Sequence, residues 1–457
     1  MKNKKILIVT HQFLPHVSPR TTRWSLLIDE LINKGNEVTV LTGTDPDNIQ
    51  KNYKILYFGN KKFSTNINKI RQNSQDSSNN SIKKICYSIL KKIYRFLFKT
   101  FSWPDYAMFW AFTVFKNRKS IKNNFDIIIS VSLPFTSHLC AHILKKRISA
   151  EWYMDIGDPF TLKINSPENN KIIYFYFNKF FERKFYQNAS KIIFTHNEAA
   201  ELHQNKFNID RTKIVIGYPI ALLDEKRIKN SLTFDYEDTP LKIGYFGAFT
   251  RSVREPNNYL INIANSLSDN IKHEWYINEE SKKYFSSIKD ISSHQFFDIL
   301  PRELALELMV DKIHILLSIG NFNKFQMPSK VVEYLSLGKP VLHYAEIIDD
   351  PLYNFEKLFD NLKIINSKTT KNELEIYFEF IKENRLELNF KNFNNKFSAS
   401  KLSKAPPDCA AVYPSLVLWI QSSSVKNLLN SISTKSTSPF NILRVVQSGS
   451  TSSMYET

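Results

Sequence analysis

The sequence predicts an α/β protein built from two doubly wound, Rossmann-like domains facing each other across a cleft. Three observations carry that prediction. Short apolar runs of strand length recur along the chain with helix-patterned segments between most of them, the signature of βαβ units and a parallel sheet. The pattern starts twice, near Lys4 and again at Lys242, with a polar stretch over 223–240 between the two sets. At 457 residues the chain is long enough to give each set its own core.

In order, residues 6–10 read as a buried strand and 11–20 as a loop carrying two prolines. Trp24, Leu27, Ile28 and Leu31 share a helical face that Lys34-Gly35 closes, and 37–42 alternate as a second strand. A unit of this kind joins parallel strands by a right-handed crossover. Further strands are predicted over 54–58, 125–130, 151–155 and 191–195, completing a first domain over 1–222. After the 223–240 linker, IGYFGAF from Ile243 reads as strand and loop, 259–267 as helix and 273–277 as strand. A short strand at 296–297, a helix over 302–309 and strands over 313–318 and 341–342 fill a second domain over 241–400.

The most informative stretch is QMPSKVVEYLSLGKPVL, residues 326–342. Pro328-Ser329 reads as a helix start, since proline suits the first turn and serine can cap orphan N–H groups. Val331, Val332, Leu335 and Leu337 supply a buried stripe, leaving Lys330 and Glu333 one turn apart at an end of the helix that favours anions. A phosphate fits there; the plainer alternative is a capped surface helix with an incidental ion pair.

The net charge of +18 calls for an anionic partner: nucleic acid, a phosphorylated ligand or an acidic membrane. Cys86, Cys140 and Cys409 match no metal spacing or disulfide framework, which points to a reducing compartment. With no signal-peptide pattern and no apolar window of about 20 residues, the expected location is the cytoplasm, peripheral on the inner face of the cell membrane. That membrane contact is assigned to an insertion over 61–102. From Ile82 it becomes a basic amphipathic segment in which Lys83, Lys84, Lys91, Lys92 and Arg95 surround Ile82, Ile85, Ile89 and Ile93. A surface helix with solvated lysines is the alternative. Beyond Lys404 residue usage shifts abruptly to Pro, Ala, Val and Ser, and 401–457 is expected to be a disordered tail.

Five separated motifs, KILIVTHQFLPHVSPRTTRW, FDIIISVSLPFTSHLCAHILKK, EWYMDIGDPF, KIGYFGAFTRSVREP and QMPSKVVEYLSLGKPVL, together resemble the nucleotide-sugar glycosyltransferases of the GT-B fold. More narrowly they resemble glycosyltransferase family 4, whose members build bacterial surface polysaccharides. The resemblance runs from Lys4 to about Ser400. It implies transfer of a hexosyl or N-acetylhexosaminyl unit from a nucleotide-sugar donor to a lipid-linked or saccharide acceptor, in capsule, O-antigen or lipopolysaccharide synthesis. Anomeric configuration would be retained, and no cofactor or metal is implied.

The resemblance also distributes roles. Gly247 lets backbone approach the donor, and Arg254 and Arg251 follow in a loop whose basic residues contact the diphosphate. Glu333 matches the ribose-binding glutamate, with Ser329 and Lys330 beside the phosphates. Phe325 stands where the family places a second acid, a departure from its pattern. Asp158, with Asp155 second, would orient the acceptor or act as acid/base, and Arg20 and His138 are further cleft candidates. The rival readings are a GT-B nucleotide-sugar 2-epimerase and a non-catalytic anion or nucleic-acid binder. No nucleic-acid motif is present, so nucleic acid is not an expected partner.

Overall fold

A computed structural model describes residues 3–16, 18–46, 49–59, 97, 99–163, 167–232, 240–264, 267, 270–286, 292–383, 393 and 397. The basic run with Lys83, Lys84, Lys91, Lys92 and Arg95 lies outside the described residues, as does the tail after 400.

The first sheet has seven strands: β1 (Lys5–Thr10), β2 (Glu37–Thr42), β3 (Lys54–Tyr57), β4 (Ile127–Ser132), β5 (Glu151–Ile156), β6 (Lys191–Phe194) and β7 (Ile214–Ile216). Their spatial order is β3-β2-β1-β4-β5-β6-β7 and every pairing is parallel. The second sheet runs β10-β9-β8-β11-β12-β13, from β8 (Leu241–Phe246), β9 (Ile271–Tyr276), β10 (His294–Phe297), β11 (Ile315–Ile319), β12 (Val341–Tyr344) and β13 (Leu362–Ile365). It too is all parallel. Parallel strands need both faces covered, which explains central strands that are apolar throughout rather than alternating.

Helices supply that cover. On one face of the first sheet, α1 (Pro19–Asn33) packs Trp24, Ile28 and Leu31 against Ile6, Ile8 and Val40. On the other lie α2 (Met108–Asn117), α3 (Thr136–Lys145), α4 (Lys171–Asn188) and α5 (Asn197–Phe207), whose Val114, Cys140, Phe185 and Ala199 share one core. In the second half α6 (Glu225–Leu232), α7 (Asn257–Asn262), α8 (Arg302–Asp311), α9 (Ser329–Ser336) and α10 (Lys371–Glu383) follow, with two cores, one on each side of the sheet. Val331, Val332, Leu335 and Leu337, the stripe read in the sequence, are all buried in one of them.

Four local readings are corrected. The loop after β1 is shorter than 11–20, because Ser18 caps α1 by accepting a hydrogen bond from Thr21 N and Pro19 occupies the first turn. β4 starts two residues later than 125–130. Asp126 stays outside the strand and accepts a 2.7 Å bond from Lys5 N. Part of the 223–240 stretch is helical, as α6. At α9 the capping position is Pro328 and no side chain caps the helix, so Ser329 does not play that part.

In both sheets the strand order reverses beside the first strand of the set, between β1 and β4 and between β8 and β11. Ligands of doubly wound sheets bind at such switch points, beyond the carboxyl ends of the strands. The loops after β5, β8 and β11 carry Asp158, Gly247 and Gln326, and Arg20 stands in the first turn of α1, just past the loop after β1. Contacts between the two halves converge there. His196 Nε2 lies 2.7 Å from the Lys324 carbonyl and Gln326 Nε2 donates to Asp158 Oδ1 at 2.7 Å.

Candidate active site

The second-domain side is built around Gly247. Its φ of +139° is a conformation that L side chains rarely adopt, and a Cβ there would overlap the ammonium of Lys330. The lysine therefore lies against bare backbone where β8 ends, with Nζ 5.5 Å from the centre of the Tyr245 ring. Burial, with repulsion from Arg254 next and Glu333 partly opposing, pushes its pKa down to about 7. Arg254 closes a tight turn with Thr250, and its buried Nε has no hydrogen-bond partner. Two cations thus stand side by side, and among the described residues neither has a carboxylate within ion-pair distance. An anion between them would relieve the repulsion and take up the unused donor. Arg251 is exposed on the same turn.

Lys330 and Glu333 also line a cavity of about 140 Å³ with Phe246, Gly247, Tyr276 and Tyr334. Phe246 and Tyr276 stack at 4.4 Å with their rings parallel to within 1°, and Tyr276 stacks on Phe297 at 4.8 Å. A cavity walled by aromatic side chains suits a planar ring. Glu333 is half-buried and held by Arg302, whose Nη2 and Nε donate to Oε1 at 2.6 and 3.1 Å. Its second oxygen has no bond in that pair and can accept from a hydroxyl. Ser329 sits at the first position of α9, partly buried. A larger hollow, about 400 Å³, lies beside Asn3, Gly35 and Tyr53, by the amino ends of β1, β2 and β3. That is the end of a doubly wound sheet where ligands are not expected.

The first-domain side separates the two aspartates. Asp155 is buried, and its carboxylate accepts from Arg23 Nη1 at 2.8 and 3.0 Å and from Trp24 Nε1 at 2.7 Å. Arg23 Nη2 donates in turn to the Gly217 carbonyl at 3.0 Å. With its acceptors engaged inside the protein, Asp155 anchors α1. It does not face the cleft with Asp158. Asp158 is partly exposed on the loop after β5, accepting from Gln326 on one oxygen and from Arg20 Nη2 at 3.3 Å on the other. Arg20 also donates to the Leu133 carbonyl. His138 is fully buried beneath this group, Nδ1 2.7 Å from Ser130 Oγ, and burial followed by Arg20 lowers its pKa to about 3. The imidazole is neutral, and its Nε2 is buried without a hydrogen-bond partner among the described residues.

The structure therefore gathers Arg20, Asp158 and Gln326 on one side and Gly247, Arg254, Lys330 and Glu333 on the other. The loop 320–327 links them. Phe322 N donates to the Val253 carbonyl beside Arg254, while Gln326 reaches Asp158. Asn321 and Asn323 hold Gln326 in place by bonds of 2.7 and 3.2 Å. Sequence reasoning missed Gln326 and Arg302 as site residues; both stood at motif or helix starts, but their partners are 168 and 31 residues away.

No protein-family model and no curated protein sequence matches the chain. Solved structures do. Sucrose-phosphate synthase from Thermosynechococcus elongatus superposes with a TM-score of 0.56, at 10% identity, over 95% of this chain and all of that one. Anabaena HepE in complex with UDP and glucose gives 0.54 at 10% identity, covering 91% of this chain and 99% of its own. The lipopolysaccharide outer core galactosyltransferase WaaB gives 0.53 at 12%, covering 94% and 99%. The fold is GT-B. In GT-B terms, the aromatic cavity and Lys330 belong to the second domain, Asp158 and Arg20 to the first, and the 320–327 loop spans the cleft between them.

Proposed function

We propose that the chain is a glycosyltransferase that moves a hexosyl or N-acetylhexosaminyl unit from a nucleotide-sugar donor to a lipid-linked or saccharide acceptor in cell-surface polysaccharide synthesis. The observation that carries this reading is the cationic pair, Lys330 and Arg254, beside an aromatic slot and a hydroxyl-accepting Glu333. That set matches the parts of a nucleotide sugar in order: base against Phe246 and Tyr276, ribose at Glu333, diphosphate at Lys330 and Arg254. The fold agrees, since HepE is described with UDP and glucose and WaaB as a galactosyltransferase.

The residues divide the chemistry as follows. As the bond from the sugar C1 to the diphosphate oxygen breaks, negative charge grows on the leaving group, and Lys330 and Arg254 stabilise it without a metal. Asp158 accepts a hydrogen bond from the acceptor hydroxyl and orients its oxygen towards C1, once Gln326 yields that carboxylate oxygen. As the bond from the acceptor oxygen to C1 forms, the hydroxyl proton passes to the departing diphosphate oxygen. Front-side approach with retention follows the family resemblance. Nucleotide-sugar binding without transfer, or interconversion of the donor in the absence of acceptor, would contradict the reading. The test supplies a panel of labelled nucleotide sugars with bacterial lipid and saccharide acceptors and follows nucleoside diphosphate release. Release should require acceptor and fall by roughly 100-fold or more in Asp158→Asn, the usual scale for loss of an acid/base or orienting group. Donor affinity should stay unchanged.

A further inference from the structure

The two ends of α4, KIIYFYFNKFFERKFYQN, are packed differently. Its second half buries Glu182, Phe185 and Tyr186 in the first-domain core. Of its first ten residues only Asn178 is buried; Ile172 is 95% and Tyr176 83% exposed, with Ile173, Phe177 and Phe180 exposed beside them. On α2, Trp110, Ala111 and Val114 pack inward while Phe109, Phe112 and Phe115 form an exposed stripe, Phe112 at 63%. Both helices cover the same face of the first sheet, since Val114 and Phe185 belong to one core. Isolated exposed apolar residues are ordinary; clusters of them on two helices that cover the same side of one sheet are not.

Topology places this face beside the cleft. α4 follows the loop that carries Asp158 and runs back from the carboxyl end of β5, so its exposed first half lies at the cleft end. At the start of α2, Tyr106 and Trp110 meet His11, in the loop after β1, edge-on at 5.5 and 5.2 Å. Trp103 packs on Phe177 and Phe181 at 4.7 Å and joins the segment before α2 to α4.

Charge then selects the occupant. Between Asp105 and Asp126 there is no acid, while Lys116, Arg118, Lys119 and Lys122 are basic. Between Glu168 and Glu182 there is none either, and Glu182 is buried. Arg118 sits 3.9 Å over the Phe115 ring, and Lys171 and Lys184 lie 5.9 Å from Phe175 and Phe180. Aromatic and branched side chains rimmed by cations suit the headgroup zone of an anionic bilayer. A second copy of the chain is disfavoured, because a two-fold contact would set one basic rim against another. Among the described residues no helix is long and apolar enough to cross a membrane, so any contact made by them lies at the surface.

We propose that the exposed face of α2 and the first half of α4 docks into the headgroup region of an anionic bilayer, holding the Asp158 side of the cleft towards the lipid. The docking stands on these observations alone; its use, presenting a lipid-linked acceptor to Asp158, rests on the transferase reading. The test sediments the full chain with vesicles of 70% phosphatidylethanolamine and 30% phosphatidylglycerol, and with phosphatidylcholine vesicles. Wild type should prefer the anionic vesicles, and Ile172→Asp/Tyr176→Asp and Phe112→Asp should each lower partitioning by roughly tenfold, in line with lost apolar insertion. Melting temperature and nucleotide-sugar affinity should not move. Equal partitioning of wild type and variants overturns the proposal, the outcome expected if residues 82–96 alone bind lipid, or if the tail or a second copy covers the face. Nucleotide-sugar binding is measured on the same samples, so failure of docking and failure of the transferase reading are separate results.

Discussion

Lys330 shows how one side chain acquires a property its type lacks. An ordinary lysine titrates near 10.5; this one, partly buried against Gly247 and repelled by Arg254, is brought down to about 7. Because the folded value lies below the unfolded one, the charged lysine opposes folding at low pH, and stability rises with pH from about 7 towards 10.5. An anionic ligand reverses the preference by stabilising the ammonium. Nucleotide-sugar affinity should therefore weaken by up to about tenfold per pH unit above 7, with proton uptake on binding. Titration calorimetry at pH 7 and 9 in buffers of different ionisation enthalpy checks this, and a pH-independent affinity with no proton uptake would remove Lys330 from the binding step. Lys330 and Glu333 were legible in the sequence because both stand in one helical turn. Asp155 was not, because Arg23, 132 residues away, decides whether that carboxylate is a cleft group or an anchor.

At the scale of elements, the junction of β8 with its following turn and α9 forms the proposed donor side. Gly247 serves two ends, its positive φ and the space for the Lys330 ammonium. Gly247→Ala should cost about 1–3 kcal/mol of stability, the usual range for a strained backbone position. Part of that loss should return in Gly247→Ala/Lys330→Ala, which removes the overlapping ammonium. Thermal or denaturant unfolding of the four proteins of the cycle measures it, and strictly additive effects would show that the glycine does not serve the lysine. Most strands were readable from apolar runs, and Ile8, Val38, Ile128 and Leu316 are all buried as such runs require. β7 and β13 were missed: the first is three residues long and the second, LKII, carries a lysine in a four-residue run. β4 was placed two residues early because its last residue, Ser132, is polar yet buried and bonded to the Asp155 carbonyl at 3.2 Å.

At the scale of the whole molecule, the two switch points face each other and the 320–327 loop crosses between them, so neither domain makes the site alone. The repeated βαβ pattern announced two doubly wound domains. It could not announce the bond from Gln326 to Asp158, which depends on how the two sheets meet. The large positive charge takes a specific form in the cleft, Lys330 and Arg254 on one wall with no carboxylate in ion-pair distance among the described residues, and that pair is the physical basis for expecting a nucleoside diphosphate group. The most direct measurement is calorimetric titration of nucleoside diphosphates and their sugars into the full chain and into Lys330→Met. At least one should bind the wild-type protein with a dissociation constant in the micromolar to millimolar range, and Lys330→Met should weaken it by roughly tenfold or more while the melting temperature stays the same or rises, since the variant loses a charge contact and also the cost of burying that charge. Binding of none of them, or equal binding by wild type and variant, would contradict a donor site at Gly247, Arg254, Lys330 and Glu333.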